Sequence, residues 1–398
     1  MIIGLVTDRI WPFYEGGYER RYWNLAKRLA QKHEVHVLTS CPANTTLDNI
    51  NFHKVVGYRS YFDRMGYRVL GEDLIYSLSL TKSVFSRYRF DVIDCNATPF
   101  THVPLAKLAA LSKGAKMILT VHEALKEGLY NYFRSKHTDN AMLGNLSKIL
   151  ATISTFFITS ATRMPDLIIA ISYLTKASLE RNYGVRDAVV IPNGVDINFF
   201  DSTPVDLNNR ESFRLVFVGR LVPEKRLVDL IKATNILIHR FHMSVTLSVI
   251  GDGPLKKDLV AMSRKLDVAN AVIFHGFVGE RDKVKLLKTS DVFVLPSERE
   301  GFSISTLEAM AASLPTVAAL PRYKEACGVK EIVKHNVNGL FYPCGNVESL
   351  ASTLEMLLTD VKLRARLARN ARSTAESYDW SKITLMYEGM IKNLCGKH

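Results

Sequence analysis

The chain has 398 residues, 47% of them hydrophobic and 23% charged. That balance excludes a disordered chain, and the length exceeds one ordinary core, so two domains are expected. Fifty-two basic against 39 acidic residues leave a net charge of +13, which asks for an anionic partner: nucleic acid, anionic lipid or a phosphorylated substrate.

The opening "MIIGLVTDRI" has no basic leader and meets Asp8 early, so it reads as a first strand. Further Val- and Ile-rich runs follow at 34–39, 91–95, 116–122, 166–172 and 188–193. A second series runs at 213–219, 245–251, 271–276, 291–297 and 315–320. Apolar runs separated by helix-length amphipathic stretches predict parallel sheets covered on both faces. Between the series, 193–213 is polar and turn-rich, the best boundary in the chain. The segment "ILATISTFFITSAT" (149–162) is too short to span a bilayer and reads as a buried or interfacial helix. Cys41, Cys95, Cys327, Cys344 and Cys395 are scattered without metal spacing, as reduced core thiols in the cytosol would be.

Three loops after predicted strands suit ligands, because doubly wound sheets bind beyond the carboxyl ends of their strands. The first carries Gly16-Gly17 into the helix "YERRYWNLAKRLAQ", whose first N–H groups could face an anion; a plain glycine turn is the alternative. In the second, "FVGRLVPEKRLVDLI", Arg220 offers a fork and Lys225 a point charge for a diphosphate, or both are solvated surface. "GDGP" (251–254) is a similar turn without cations, read as structural. The third is "EREGFSISTLEAM" (298–310), with Glu300 and Glu308 on either side of a Gly-Phe-Ser turn. Ser305 and Glu308 have capping-box spacing, so Glu308 could simply close a helix start. A carboxylate at Glu300 would repel phosphate there, unless it binds something neutral such as sugar hydroxyls.

Taken in order, "GGYERRYWNLAKRLAQKHEVHVLT", "IPNGVD", "VGRLVPEK", "VIGDGP", "EGFSISTLEAMAASLPTVA" and "NGLFYP" resemble the retaining GT-B glycosyltransferases of family 4. The resemblance covers nearly the whole chain. It implies an α/β chain of two doubly wound, Rossmann-like domains facing across a cleft. These would be an acceptor domain over 1–195, a nucleotide-sugar donor domain over 196–376, and a helix over 377–398 returning to the first domain. By position it implies that Arg220 and Lys225 hold the donor diphosphate. Glu300 would contact the transferred sugar and Glu308 the ribose, with the backbone of Gly301, Phe302 and Ser303 against sugar and phosphate. Gly17 would approach the phosphates and His122 the sugar. No cofactor or metal is implied, the donor being a UDP-, GDP- or ADP-sugar. The chemistry would be transfer with retention, driven by positioning and by stabilisation of the departing diphosphate. Two departures stand out. The stretch 320–333 is longer than the family's Gly-Gly-x-x-Glu loop and lacks its paired glycine, with Glu331 the candidate glutamate, and Arg226 replaces the usual glycine, adding charge beside the diphosphate.

Arg and Lys interleave with aromatics at 19–28, 58–70, 86–90 and 125–136, as at a membrane interface or on ordinary solvated faces. The expected partners are therefore a nucleotide-sugar donor, a glycan, lipid-linked or phosphate-bearing acceptor, and an anionic membrane surface. Placement is cytoplasmic, or peripheral at the cytoplasmic face. Nucleic acid is not expected: no basic helix, zinc spacing or RNP-like motif accompanies the charge. The rivals are a nucleotide-sugar 2-epimerase, which would turn over donor without acceptor, and a catalytically silent partner of a transferase. A sugar phosphorylase would need a cofactor lysine that has no counterpart in context.

Overall fold

The computed structural model describes residues 1–14, 16–59, 61, 70–84, 88–98, 100–122, 156–205, 212–320 and 328–396. Most of the aromatic–basic stretch 58–70, parts of 86–90 and 149–162, all of 125–136 and Cys327 lie outside these residues. The chain divides into two compact units: Met1–Asn193 with Trp380–His398, and Gly194–Asp379.

In the first unit the strands are β1 (Ile2–Val6), β2 (Glu34–Ser40), β3 (Thr45–Leu47), β4 (Ile50–Val56), β5 (Val92–Asn96), β6 (Lys116–Val121), β7 (Leu167–Ala170) and β8 (Val189–Val190). They pair in the order β3-β4-β2-β1-β5-β6-β7-β8, parallel except for the β3–β4 ribbon. Alternation along the strands splits the core in two. Ile3 and Leu5 of β1 join Val35, Val37 and Ile118 on one face, under the helices Gly17–Leu29 and Trp380–Leu394. Val6, Met117, Leu119 and Val121 face the other way, against Val103, Ala106 and Ala110 of the helix Val103–Lys113. That helix ends at Gly114 in the left-handed region, the usual stop for a helix C-terminus.

The helix Trp380–Leu394 is bound to this unit by polar contacts as well as apolar ones. Tyr387 donates to Asp94 Oδ2 at 2.7 Å, while Tyr22 and Thr120 donate to Asp94 Oδ1 at 3.2 and 2.8 Å. Glu388 meets His33 at 3.3 Å. Burial pushes the Asp94 carboxyl above its ordinary range, although the three hydroxyl donors and the nearby Arg21 charge oppose it.

The second unit holds β9 (Phe213–Val218), β10 (Val245–Ile250), β11 (Val272–Gly276), β12 (Val292–Leu295), β13 (Thr316–Leu320) and β14 (Gly339–Pro343), in the order β11-β10-β9-β12-β13-β14. Every pair is parallel. All eleven apolar runs read from the sequence form strands, each within a few residues of its expected bounds. β3, β4 and β14 were not read as strands. β4 carries Asn51, His53 and Lys54 among its apolar residues, and β3 is exposed throughout, so neither has a continuous apolar run. Cys41, Cys95, Cys344 and Cys395 are thiols outside any disulfide, but only the first two are fully buried.

Candidate active site

Strand order reverses between β9 and β12 in the second sheet, as it does between β1 and β5 in the first. Loops leaving the carboxyl ends of such strands diverge and open a crevice, where doubly wound sheets bind ligands. Arg220 and Lys225 follow β9, and Glu300 follows β12, so three expected site residues straddle the reversal.

The loops are joined by their backbones. Glu298 N–H donates to the Glu224 carbonyl at 2.9 Å, which lays the end of the β12 loop along the short 3₁₀ turn Pro223–Lys225. Lys225 Nζ thereby reaches Glu300 Oε1 in a close ion pair, with side chains 18% and 12% exposed. Arg220 is exposed and makes no ion pair among the described residues. Its loop rests on the "GDGP" turn. Leu221 N–H donates to the Asp252 carbonyl at 2.9 Å, and a Cβ at Gly251 or Gly253 would strike the Gly219 or Leu221 backbone. The structural reading of that turn therefore holds; Asp252 pairs with Lys256 at 2.7 Å.

Arg226 does not add free charge here. Its backbone is left-handed, φ 48°, which explains why glycine suits the position. Its guanidinium turns to Asp229 at 2.7 Å and Glu298 at 3.7 Å. The alternative reading of Ser305 and Glu308 as a capping box does not hold either. Ser303 caps the helix Ile304–Ala311, its hydroxyl accepting from Thr306 N–H at 3.3 Å, while Ser305 lies inside the first turn. Glu308 is thus two residues too deep to close the helix. It meets Lys283 Nζ at 2.7 Å instead. Lys283 was missed in the sequence, though a signal exists. It lies beside Val284 and Leu287 on the buried stripe of the helix Glu280–Lys288, where an apolar residue is expected.

Gly301 and Phe302 lead into this helix, with Phe302 buried against Tyr378 at 6.0 Å between ring centroids. Gly328 N–H donates to the Glu300 carbonyl at 2.8 Å, and a Cβ on Gly328 would fall on the Gly301 carbonyl oxygen. One glycine, not two, therefore serves the close approach, and Glu331 sits on the short helix Val329–Ile332 that follows.

In the first unit, Gly17 opens the helix Gly17–Leu29 behind Gly16. The Glu19 carboxylate folds back against Gly16 and pairs with Arg9 at 2.8 Å, so the chain places its own anion at this helix start. Gly16-x-x-Glu19 spacing was the overlooked sequence signal. His122 follows β6, is 8% exposed, and lies between the rings of Tyr18 and Tyr22. Burial, reinforced by the Arg21 charge, holds its imidazole well below the usual histidine range, so it is neutral. Its Nε2 has no hydrogen-bond partner among the described residues. Arg21 is fully buried and donates to the Pro192 carbonyl at 2.7 Å and to Asn193 Oδ1 at 3.1 Å.

Two largely parallel sheets with charged loops at their strand reversals define a doubly wound α/β architecture, and comparison with known proteins narrows it. The "Glycosyltransferase Family 4" model matches residues 15–199, and the "Glycosyl transferases group 1" model matches 201–374. The chain belongs to the GT-B glycosyltransferases of this group 1, family 4 type. It is 34% identical over 205 residues to an uncharacterized glycosyltransferase of Methanocaldococcus jannaschii, covering 49% of this chain and 51% of that one. It is 26% identical to the N-acetyl-alpha-D-glucosaminyl L-malate synthase of Bacillus anthracis, across 92% and 90% of the two chains. Sucrose-phosphate synthase from Thermosynechococcus elongatus superposes with TM-score 0.78 at 16% identity, over 99% of each chain. Anabaena HepE in complex with UDP-glucose gives 0.72 at 19% identity, over 99% and 100%. WaaG, a glycosyltransferase involved in lipopolysaccharide biosynthesis, gives 0.72 at 18%, again over 99% and 100%. At these identities the structural likenesses speak to the fold.

Proposed function

We propose that this glycosyltransferase moves a hexose, with retention at the anomeric carbon, from a nucleoside diphosphate sugar to a lipid-linked, polysaccharide or phosphate-bearing acceptor. The observation that carries the reading is the Lys225–Glu300 pair at the strand reversal. A nucleotide sugar presents the complementary groups: a diphosphate for the lysine and neutral hydroxyls for the carboxylate. On binding, Lys225 leaves Glu300 for phosphate and Glu300 accepts from the sugar. Arg220, exposed and without an ion pair among the described residues, closes on the diphosphate as a fork. Two cations then balance the charge that gathers on the leaving diphosphate, which is the assistance a metal ion would otherwise give. Glu308 takes the ribose, the Gly301–Ser303 backbone lies along sugar and phosphate, and Gly17 approaches the phosphates while Arg9 offsets the Glu19 charge at that helix start. His122, neutral and with Nε2 free of described partners, hydrogen-bonds a sugar hydroxyl.

The acceptor reading draws on the first unit. Leu74 and Leu78 of the helix Leu70–Val84, and Leu108 and Leu111 of the helix Val103–Lys113, are 45–68% exposed. Phe156 is 75% exposed. Exposed apolar side chains on a basic chain suit peripheral contact with the cytoplasmic face of an anionic membrane. No helix among the described residues is long and apolar enough to cross one. Flotation with anionic vesicles at low salt checks this, and a protein that stays at the bottom of the gradient would overturn the membrane contact.

The deciding experiment is thermal unfolding against UDP-, GDP- and ADP-sugars without added metal. A donor at about 100 times its Kd adds roughly 2.7 kcal/mol to the folded state. The expected result is a shift with one base that Arg220→Ala weakens; no shift with any base would overturn the donor reading.

A further inference from the structure

Tyr58 is 66% exposed, yet its ring is held in place. It lies parallel to the ring of Tyr14, with 4.7 Å between centroids and 7° between planes. Tyr14 is only 8% exposed, and its hydroxyl donates to the Arg59 carbonyl at 3.2 Å while accepting from the Arg59 N–H at 3.0 Å. The Arg59 side chain pairs with Glu72 of the helix Leu70–Val84 at 2.8 Å. One face of Tyr58 is therefore occupied by a fixed neighbour, and its exposure belongs to the other.

A single exposed ring needs no explanation, but this one ends a row. Tyr58 follows β4, at the same carboxyl edge of the first sheet from which β1 leads to Arg9 and β6 to His122. The His122 ring lies 5.6 Å from that of Tyr18. The Arg9 guanidinium stands 5.9 Å from the Tyr18 ring and 5.2 Å from the Tyr14 ring. Tyr14 then meets Tyr58. Wholly within the first unit, the row runs from the histidine assigned to the transferred sugar to an open aromatic face.

Sugar rings match such a face. A pyranose has C–H groups on its faces and hydroxyls at its rim, so it can stack on the electron-rich face of an aromatic ring and keep its hydroxyls in water. A lipid chain matches less well, because the charged Arg59–Glu72 pair, 34% and 27% exposed, borders the same turn. Resting on the reading of the first unit as the acceptor domain, we propose that Tyr58 is the platform of a saccharide subsite, where a pyranose ring of the acceptor stacks at a distance from the bond being formed. Tyr14 and Arg59 hold the platform ready, so little order is lost on binding.

The test is saturation-transfer NMR on the full chain with maltotriose, cellotriose and triacetylchitotriose in turn. At least one trisaccharide is expected to take up saturation, most strongly at the C–H protons of one ring face. Tyr58→Ala is expected to weaken that ligand by roughly three- to tenfold, the scale of one aromatic stacking contact. Tyr58→Phe and Tyr58→Trp should keep it. Unchanged binding in Tyr58→Ala, or no signal from any of the three in the wild type, would overturn the subsite. Should the alanine variant fail to fold, Tyr58→Gln makes the same comparison. Loss of anionic-vesicle binding in Tyr58→Ala with saccharide binding intact would also overturn it and assign the ring to a membrane. The donor reading is decided separately: thermal shifts by nucleotide sugars persist in Tyr58→Ala, and their absence from the wild type overturns that reading without touching the saccharide result.

Discussion

Glu300 and Glu308 each meet a lysine, but the two pairs are built to different purposes. Lys225 ends a three-residue 3₁₀ turn and touches a single carboxylate; its side chain is 18% exposed. Lys283 lies inside a nine-residue helix, is 8% exposed, and is shared between two carboxylates. The first pair is exchangeable, because a side chain on a short turn can swing to phosphate without disturbing any helix. The second is fixed before any ligand arrives. Similar residues a short way apart thus form one pair carried on a turn and one held on a helix, and the proposed donor site would have only the first exchange partners.

The sharpest way to break this contrast is at Glu300. Glu300→Gln is expected to lower kcat/KM by about 10²–10³-fold, the scale of losing one contact that stabilises the transition state. Binding of the free nucleoside diphosphate should survive, since that ligand has no sugar to hold. Lys225→Ala should weaken nucleoside diphosphate and nucleotide sugar alike, measured by isothermal titration. If both variants lose free diphosphate equally, the pair does not exchange partners.

Stability is expected to depend most on the buried polar cluster of the first unit. Tyr387→Phe removes one hydroxyl from the Asp94 carboxylate and should cost about 1.5–3 kcal/mol in urea unfolding. Acid comes next. Burial and the neighbouring His36 lower His53 to about 4, so the unfolded chain takes up a proton near 6.5 that the folded chain resists. Stability contributed by His53 is therefore present above about 6.5 and is lost as pH falls toward 4. Melting curves between those values, repeated with His53→Gln, should show a shallower slope in the variant. The smallest effect is expected at Arg226. Arg226→Gly relieves a left-handed backbone but gives up the Asp229 contact, for a net change within about 1 kcal/mol. Donor affinity should stay the same, because the guanidinium already points to Asp229 and Glu298.

The strands were legible wherever burial on both faces produced a continuous apolar run, as in β1, β6 and β12. β4 was not, because only alternate parts of it are buried and the rest looks like loop. At the site, the identities of Glu300, Arg220 and Lys225 could be read from motif order, but the neutralisation of Arg226 could not. Its main partner Asp229 is only three positions on, but the second, Glu298, lies 72 positions away and comes near only because β9 and β12 are neighbours. The cap position was open in the sequence because Ser303-x-x-Thr306 and Ser305-x-x-Glu308 overlap in the same stretch. The extended backbone at Ser303, φ −89° and ψ 99°, settles which serine leads the helix.

The helix Trp380–Leu394 has a consequence for how the protein is made. It covers one face of the first sheet and delivers the Tyr387 hydroxyl to Asp94, yet it is encoded after the whole of Gly194–Asp379. At roughly 5–20 residues per second, a ribosome takes on the order of ten seconds or more to cross that stretch. Throughout that interval the nascent first unit has β1 through β8 but not the helix that seals Ile3, Leu5 and Val37 from water. The second unit, begun later, has all of its own strands and helices first. Order of completion thus runs against order of synthesis, and the unit that starts the chain is the last to close.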